Sequence, residues 1–191
     1  MKKLAVASLV LALSGCASNM GFKSDWVVDQ RTDQFYGTTA CAVQFNDAFK
    51  NLSAAYGVRY FPFFAKAGDG NVYFGVSNNY NVPVGDVLVK IDQHEPIRIS
   101  HTETPISEHS YKPAAQGNEQ IQQAMQNVMS MQSPYTMAEL EKSQEILSQA
   151  RGGETMMIRI IGYGVNNSTG SQDGTYPITA NMLSGLRQCA I

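Results

Sequence analysis

The stretch "RYFPFFAKAGDGNVYFGVSN", residues 59–78, decides the fold. Two runs rich in aromatic and β-branched residues flank Gly68-Asp69-Gly70. Such runs suit strands, and glycine in a three-residue connection supplies the positive φ that a hairpin turn requires. The segment therefore predicts a β-hairpin. Outward from it the same reading repeats. "DVLVKID" (86–92) and "PIRIS" (96–100) flank a turn around Gln93-His94-Glu95, and Pro96 opens the return strand, which therefore lies at an edge or starts there. Upstream, Trp26 to Val28 and "TTACAVQF" (38–45) read as strands. Downstream, "TMMIRIIGYGV" (155–165) is apolar over most of its length and predicts a central strand.

Helical spacing appears in three places. "FNDAFKNLSAAYG" (45–57) carries a short apolar stripe closed by Gly57. "NEQIQQAMQNVMSMQ" (118–132) sets Ile121, Ala124, Met125, Val128 and Met129 on one face, and core packing is the expected use of that face. "YTMAELEKSQEILSQARGG" (135–153) opens with a capping-box pattern, Thr136 to Glu139, and closes on Gly152. "NNSTGSQDGT" (166–175) reads as a polar loop, and "PITANMLSGLRQCAI" (177–191) as a short strand or helix. The expected fold is α+β and β-rich: an antiparallel sheet or sandwich built from hairpins, with two helices packed on it.

The first 18 residues, "MKKLAVASLVLALSGCAS", are a different kind of segment. Two lysines precede an apolar run too short to cross a bilayer, as in a secretory signal. Leu13-Ser14-Gly15-Cys16 resembles the lipobox of bacterial lipoproteins. The resemblance implies cleavage before Cys16, lipid on its sulfur and acylation of the new N-terminus, because stable anchoring takes more than one chain. Ala17-Ser18 in place of an aspartate after the cysteine implies the outer membrane, facing the periplasm or the outside, with the periplasm the expected side. Residues 1–15 are thus a signal peptide, 16–25 an anchor and tether, and 26–191 one globular domain.

Removing residues 1–15 leaves 12 basic and 16 acidic residues, a net charge of −4. That balance gives no basic surface for nucleic acid. Beyond Cys16 two cysteines remain, Cys41 and Cys189. In an oxidising compartment an even pair reads as a disulfide.

No catalytic motif stands out. Gly75-Val76-Ser77 is followed by Asn78-Asn79, so there is no nucleophile elbow, and there is no S-x-x-K or P-loop. His94, His101 and His109 lie among Asp92, Glu95, Glu103 and Glu108, a donor set able to hold a divalent metal, although the spacing matches no standard site. Met125, Met129 and Met131 can ligate Cu(I), but two of them belong to the apolar stripe. The aromatics Tyr60, Phe61, Phe63, Phe64, Tyr73 and Phe74 crowd the first hairpin, where exposed rings would bind a sugar or a partner protein and buried ones would form core.

The C-terminal third, "EILSQARGG", "TMMIRIIGYG" and "YPITANMLSGLRQC", resembles the invasion-associated locus B family of extracytoplasmic bacterial proteins. Leu183-Ser184-Gly185-Leu186 occupies the place of that family's closing turn, and Trp26 and Cys41 stand where it tends to have a Trp and a Cys. The resemblance implies a β-rich envelope domain and carries over no functional residue. The expected function is a non-enzymatic binding or assembly module of the cell envelope. Its partners would be membrane lipid, through the anchor, and an envelope protein or glycan. No cofactor is expected beyond the lipid on Cys16. Two alternatives stand beside it: a hydrolase of envelope polymers with an acid pair some 5–9 Å apart, and metal handling through residues 92–109.

Overall fold

The computed structural model describes residues 24–32, 34, 39–48, 57–68, 70–104, 119–161 and 172–191. Among them run β1 (Asp25–Thr32), β2 (Thr39–Asn46), β3 (Tyr60–Lys66), β4 (Val72–Asn78), β5 (Asp86–Ile91) and β6 (Ile97–Ile99). A 3₁₀ turn (His101–Glu103), α1 (Glu119–Met131), β7 (Tyr135–Met137), α2 (Leu140–Gly152), β8 (Thr155–Ile161), β9 (Gln172–Pro177) and α3 (Ala180–Gln188) follow.

The strands form two antiparallel sheets, ordered β1-β2-β3-β4-β7 and β6-β5-β8-β9. This is the α+β, β-rich architecture expected. The first hairpin closes as its glycines require. Ala67 N–H donates to the Asn71 carbonyl and Gly70 N–H to the Ala67 carbonyl, with Gly70 at φ +86°. β6, opened by Pro96, is an edge strand, and β8 lies between β5 and β9.

Register decides which residues become core. Val28, Val43, Phe64 and Phe74 are successive cross-strand partners, so one row of apolar side chains crosses four strands on one face. Val87, Val89 and Ile91 on β5 and Met156, Ile158 and Ile160 on β8 form the corresponding face of the second sheet. Phe45 and Tyr176 join the two, their rings edge to face with centroids 5.0 Å apart. Helix α2 buries Ile146, Leu147 and Ala150. Its buried Ser143 hydroxyl donates to the Ala138 carbonyl (3.1 Å) and accepts from the Phe74 N–H (3.0 Å).

Helix α3 starts at Thr179, whose hydroxyl caps the Met182 N–H, and buries Met182, Gly185 and Leu186. It ends in a Schellman motif. Ala190 takes the left-handed position at φ +54°, Ala190 N–H donates to the Arg187 carbonyl and Ile191 N–H to the Leu186 carbonyl. The disulfide joins Cys41 in β2 to Cys189 at the C-terminal end of α3, with Cα atoms 5.5 Å apart.

Three expectations change, and a fourth falls mainly outside the described residues. Thr136 caps no helix: it lies in β7, its hydroxyl donating to the Gly85 carbonyl (2.6 Å), and α2 begins four residues later, at Leu140, without a side-chain cap. The strand's hydrogen bonds to β4 and this buried contact outweigh a local capping pattern. Residues 172–175 are strand rather than loop, because Gln172, Asp173, Gly174 and Thr175 pair with β8. Helix α1 turns its apolar stripe outward, leaving Ile121 and Val128 more than half exposed. Its Gln123, Gln126, Asn127 and Ser130 face Thr102, Glu103 and Thr104 instead. The proposed helix at 45–57 falls mainly outside the described residues, while Phe45 and Asn46 belong to β2.

Candidate functional site

Where β9 passes the ends of β2 and β3, the sheets part and leave a cleft of about 600 Å³. One wall is the strand β9 from Asp173 to Pro177, and the other is Val58, Arg59 and Tyr60, with Ser24 and Asp47 at the rim. Phe45, Tyr176, Ile158 and Ile160 supply the apolar lining. The sequence places the polar rim where strands end. Asp47 directly follows β2 and Arg59 directly precedes β3, so both charges sit where an apolar strand ends.

Asp47 is almost fully buried and forms an ion pair with Arg59. The Ser24 hydroxyl also donates to it (3.1 Å). A buried carboxylate of this kind requires such partners. Arg59 is fixed from its backbone as well, its N–H donating to Asn79 Oδ1 (2.9 Å). The Tyr176 hydroxyl donates to the Tyr60 carbonyl, tying β9 to β3 beneath the cleft. Burial pushes the Tyr176 phenol up to about 12, with Arg59 opposing and Asp47 adding to the shift. Asp173 is bound bidentately by Arg159 on β8, with both contacts at 2.7 Å. Those hydrogen bonds and the guanidinium charge hold its carboxyl below the ordinary range.

Among the described residues, Asp47 and Asp173 are the two acids that line the cleft. A glycosidase-type general acid requires a carboxyl held protonated, which means a raised pKa. Asp173 moves the opposite way, and Asp47 is committed to Arg59. What the arrangement offers a ligand is a rigid rim of hydrogen-bonding groups over an aromatic floor.

No protein-family model, curated protein or solved structure matches this chain.

The residues singled out in the sequence are scattered. Phe64 and Phe74 are wholly buried and Phe61 nearly so, which makes them core rather than binding rings. Tyr60, Phe63 and Tyr73 are half-buried. The far end of the Phe63 ring lies over Gly75, its cross-strand partner, where any Cβ would strike it. Of the six, Tyr60 reaches the cleft.

The histidine segment is committed to structure. Asp86 accepts from Arg98 (2.8 Å), from the His101 N–H (3.0 Å) and sits 2.8 Å from His101 Nδ1. Asp92 accepts from the N–H groups of Glu154 and Thr155, at 3.0 and 2.9 Å. Glu103 accepts from Lys142 (2.7 Å) and the Ser100 N–H (2.9 Å). His94 is exposed in the β5–β6 turn. Among the described residues no three His, Cys, Asp or Glu side chains gather as a metal site. His109, Glu108 and Cys16 lie outside the described residues.

Sequence reasoning missed Asp47, Arg59, Thr175 and Tyr176. A signal existed for the first two, since a lone charge abutting an aromatic strand on each side of one connection is worth pairing. Tyr176 was legible only as part of a strand that glycine and aspartate concealed.

Proposed function

We propose that this chain is a lipid-anchored lipoprotein of the outer membrane, facing the periplasm, that acts as a non-enzymatic binding or assembly module of the envelope. The lipobox-like Leu13-Ser14-Gly15-Cys16 supports the anchor, and the cleft supports the binding role. One observation carries the reading: both acids in the cleft are held by arginines, on a frame tied together by the Tyr176–Tyr60 hydrogen bond. Preorganised polar groups over apolar rings favour recognition of a polar envelope polymer, glycan or protein.

Two measurements test it. Cys16→Ala in cells should move the protein out of the outer-membrane fraction, and full retention of the mutant there overturns the anchor. A photo-crosslinking side chain placed at Tyr60 of the full chain in living cells should yield a discrete adduct. The same group placed at His94, in an exposed turn away from the cleft, should not. Equal labelling from both positions, or none from either, overturns the cleft as the binding site.

A further inference from the structure

The wall of the cleft formed by β9 is an unpaired sheet edge. β9 lies at the end of its sheet, with β8 on one side and no strand on the other among the described residues. The direction of its backbone groups follows from register. Glu154 stands opposite Ile178 if the β8–β9 register is continued, and the Ile178 N–H donates to the Glu154 carbonyl (2.8 Å). Hydrogen-bonded and non-hydrogen-bonded pairs alternate in an antiparallel ladder. Tyr176 and Gly174 therefore bond to β8, while Asp173, Thr175 and Pro177 turn their backbone groups away from it. The Pro177 carbonyl shows that parity directly, accepting from Trp26 Nε1 (2.7 Å) across the gap.

Asp173 and Thr175 are left with two N–H donors and two carbonyl acceptors aimed along the cleft, and among the described residues no backbone group meets them. The Asp173 carboxylate does not cover them, because it is drawn to Arg159 on the neighbouring strand. Pro177 has no N–H and its carbonyl is taken, so the edge stops there. A row this short resists sheet-to-sheet aggregation yet remains able to pair with a single segment.

We infer that the cleft receives an extended peptide segment of an envelope protein, which adds as a further strand to β9 through the backbone of Asp173 and Thr175. The inference rests on the binding-module reading and chooses its ligand class. A donor–acceptor row repeating every two residues, about 6.6 Å, is complementary to another extended backbone. Alternate side chains of the incoming strand would meet Tyr60 and the rim formed by Ser24 and Val58.

The test uses the full chain in detergent. In the free protein, amides of Asp173 and Thr175 should exchange quickly with solvent, and those of Gly174 and Tyr176 slowly. Protection of Thr175 in the free protein overturns the inference, since the chain then covers its own edge. A phage-displayed library of linear dodecapeptides is then selected on the full chain. The strongest peptide should protect the Asp173 and Thr175 amides and bind Thr175→Pro at least tenfold more weakly than Thr175→Ala. Proline there removes an outward donor and leaves the ladder to β8 intact. Failure to enrich any peptide, or equal binding by the two variants, overturns the inference. Should Thr175→Pro fail to fold, the amide-protection result on the unaltered chain decides alone. A glycan adduct from the Tyr60 crosslink, with no peptide enriched, removes the peptide but keeps the binding module, whereas no adduct of any kind removes both.

Discussion

Helix α3 turns Met182 and Leu186 into the core and brings Gly185 against Val28 and Val43, whereas helix α1 turns Ile121, Met125 and Val128 toward solvent, buries Ser130, and lines with Gln123, Gln126, Asn127 and Ser130 a cavity shared with Thr102, Glu103 and Thr104. Both segments carry a clear apolar side at helical spacing. The difference lies in what stands within reach. Helix α3 follows β9 directly and lies over the apolar faces of β1 and β2, and Cys189 fastens its end to β2. Helix α1 lies beside the 3₁₀ turn, where Ser100, Glu103 and Lys142 form a polar network. A polar surface selects the polar side of a helix, so periodicity reports that a stripe exists and the neighbouring surface decides which way it faces.

The comparison can be broken first at the disulfide. Reducing Cys41–Cys189, or replacing both with serine, should lower stability by up to about 5 kcal/mol in the chain-entropy account, given the separation of 148 positions. Denaturant midpoints of oxidised and reduced protein measure it, and coincident midpoints would mean that α3 is held by packing alone. Next, Met182→Ala should cost about 2–5 kcal/mol, since Met182 is wholly buried in α3. A cost near zero would place α3 in the same class as α1.

Acid should loosen α1 without loosening α3. Burial raises the Asp86 carboxyl, but the hydrogen bonds from Arg98 and from the backbone and ring of His101 outweigh it and bring it down to about 2. A folded-state value below the ordinary 3.8 means the contribution is complete above that value and is lost as pH falls toward about 2. Asp86 holds the turn against which α1 lies, so α1 amides should lose exchange protection between pH 4 and 2 before those of α3 do. Simultaneous loss would show that the turn does not anchor α1.

Two smaller effects sharpen the contrast. Ala190→Gly should stabilise the protein by about 0.5–1 kcal/mol, because Ala190 occupies the left-handed position that closes α3 and glycine sits there without a Cβ clash. Thermal unfolding measures this, and a destabilisation would refute the Schellman assignment. Ile121→Ser and Val128→Ser on α1 should each change stability by no more than about 0.5 kcal/mol. A loss of 2 kcal/mol or more at either position would show the stripe to be covered.

Particular residues mark how far the sequence carries. The hairpin around Gly68–Gly70 was legible because the turn chemistry and the flanking strand pattern agree locally. Pro96, which cannot donate to a ladder, marked β6 as an edge strand or as a strand starting there, and the structure has both: β6 begins at Ile97 and ends its sheet. The disulfide followed from the count of cysteines and the compartment that the N-terminal segment implies. Thr136 misled because a capping pattern of four residues is compatible with a strand when the strand's partners lie elsewhere in the chain. β9 escaped because Asp173 and Gly174 are poor strand formers, and pairing with β8 overrides that preference.

The sequence alone thus determined the hairpins, the β-rich class, the two cysteines available to pair and the helical character of α1 and α2, all of which depend on local geometry and the period of apolar residues. Only the tertiary structure decided which face of each helix is buried, that Asp47 meets Arg59, and that Asp173 and Thr175 turn their backbone groups into a cleft. Those are contacts between distant stretches of chain. They depend on register and on the surfaces that packing brings together, and a shift of one residue between β8 and β9 would turn the backbone groups of Asp173 and Thr175 the other way.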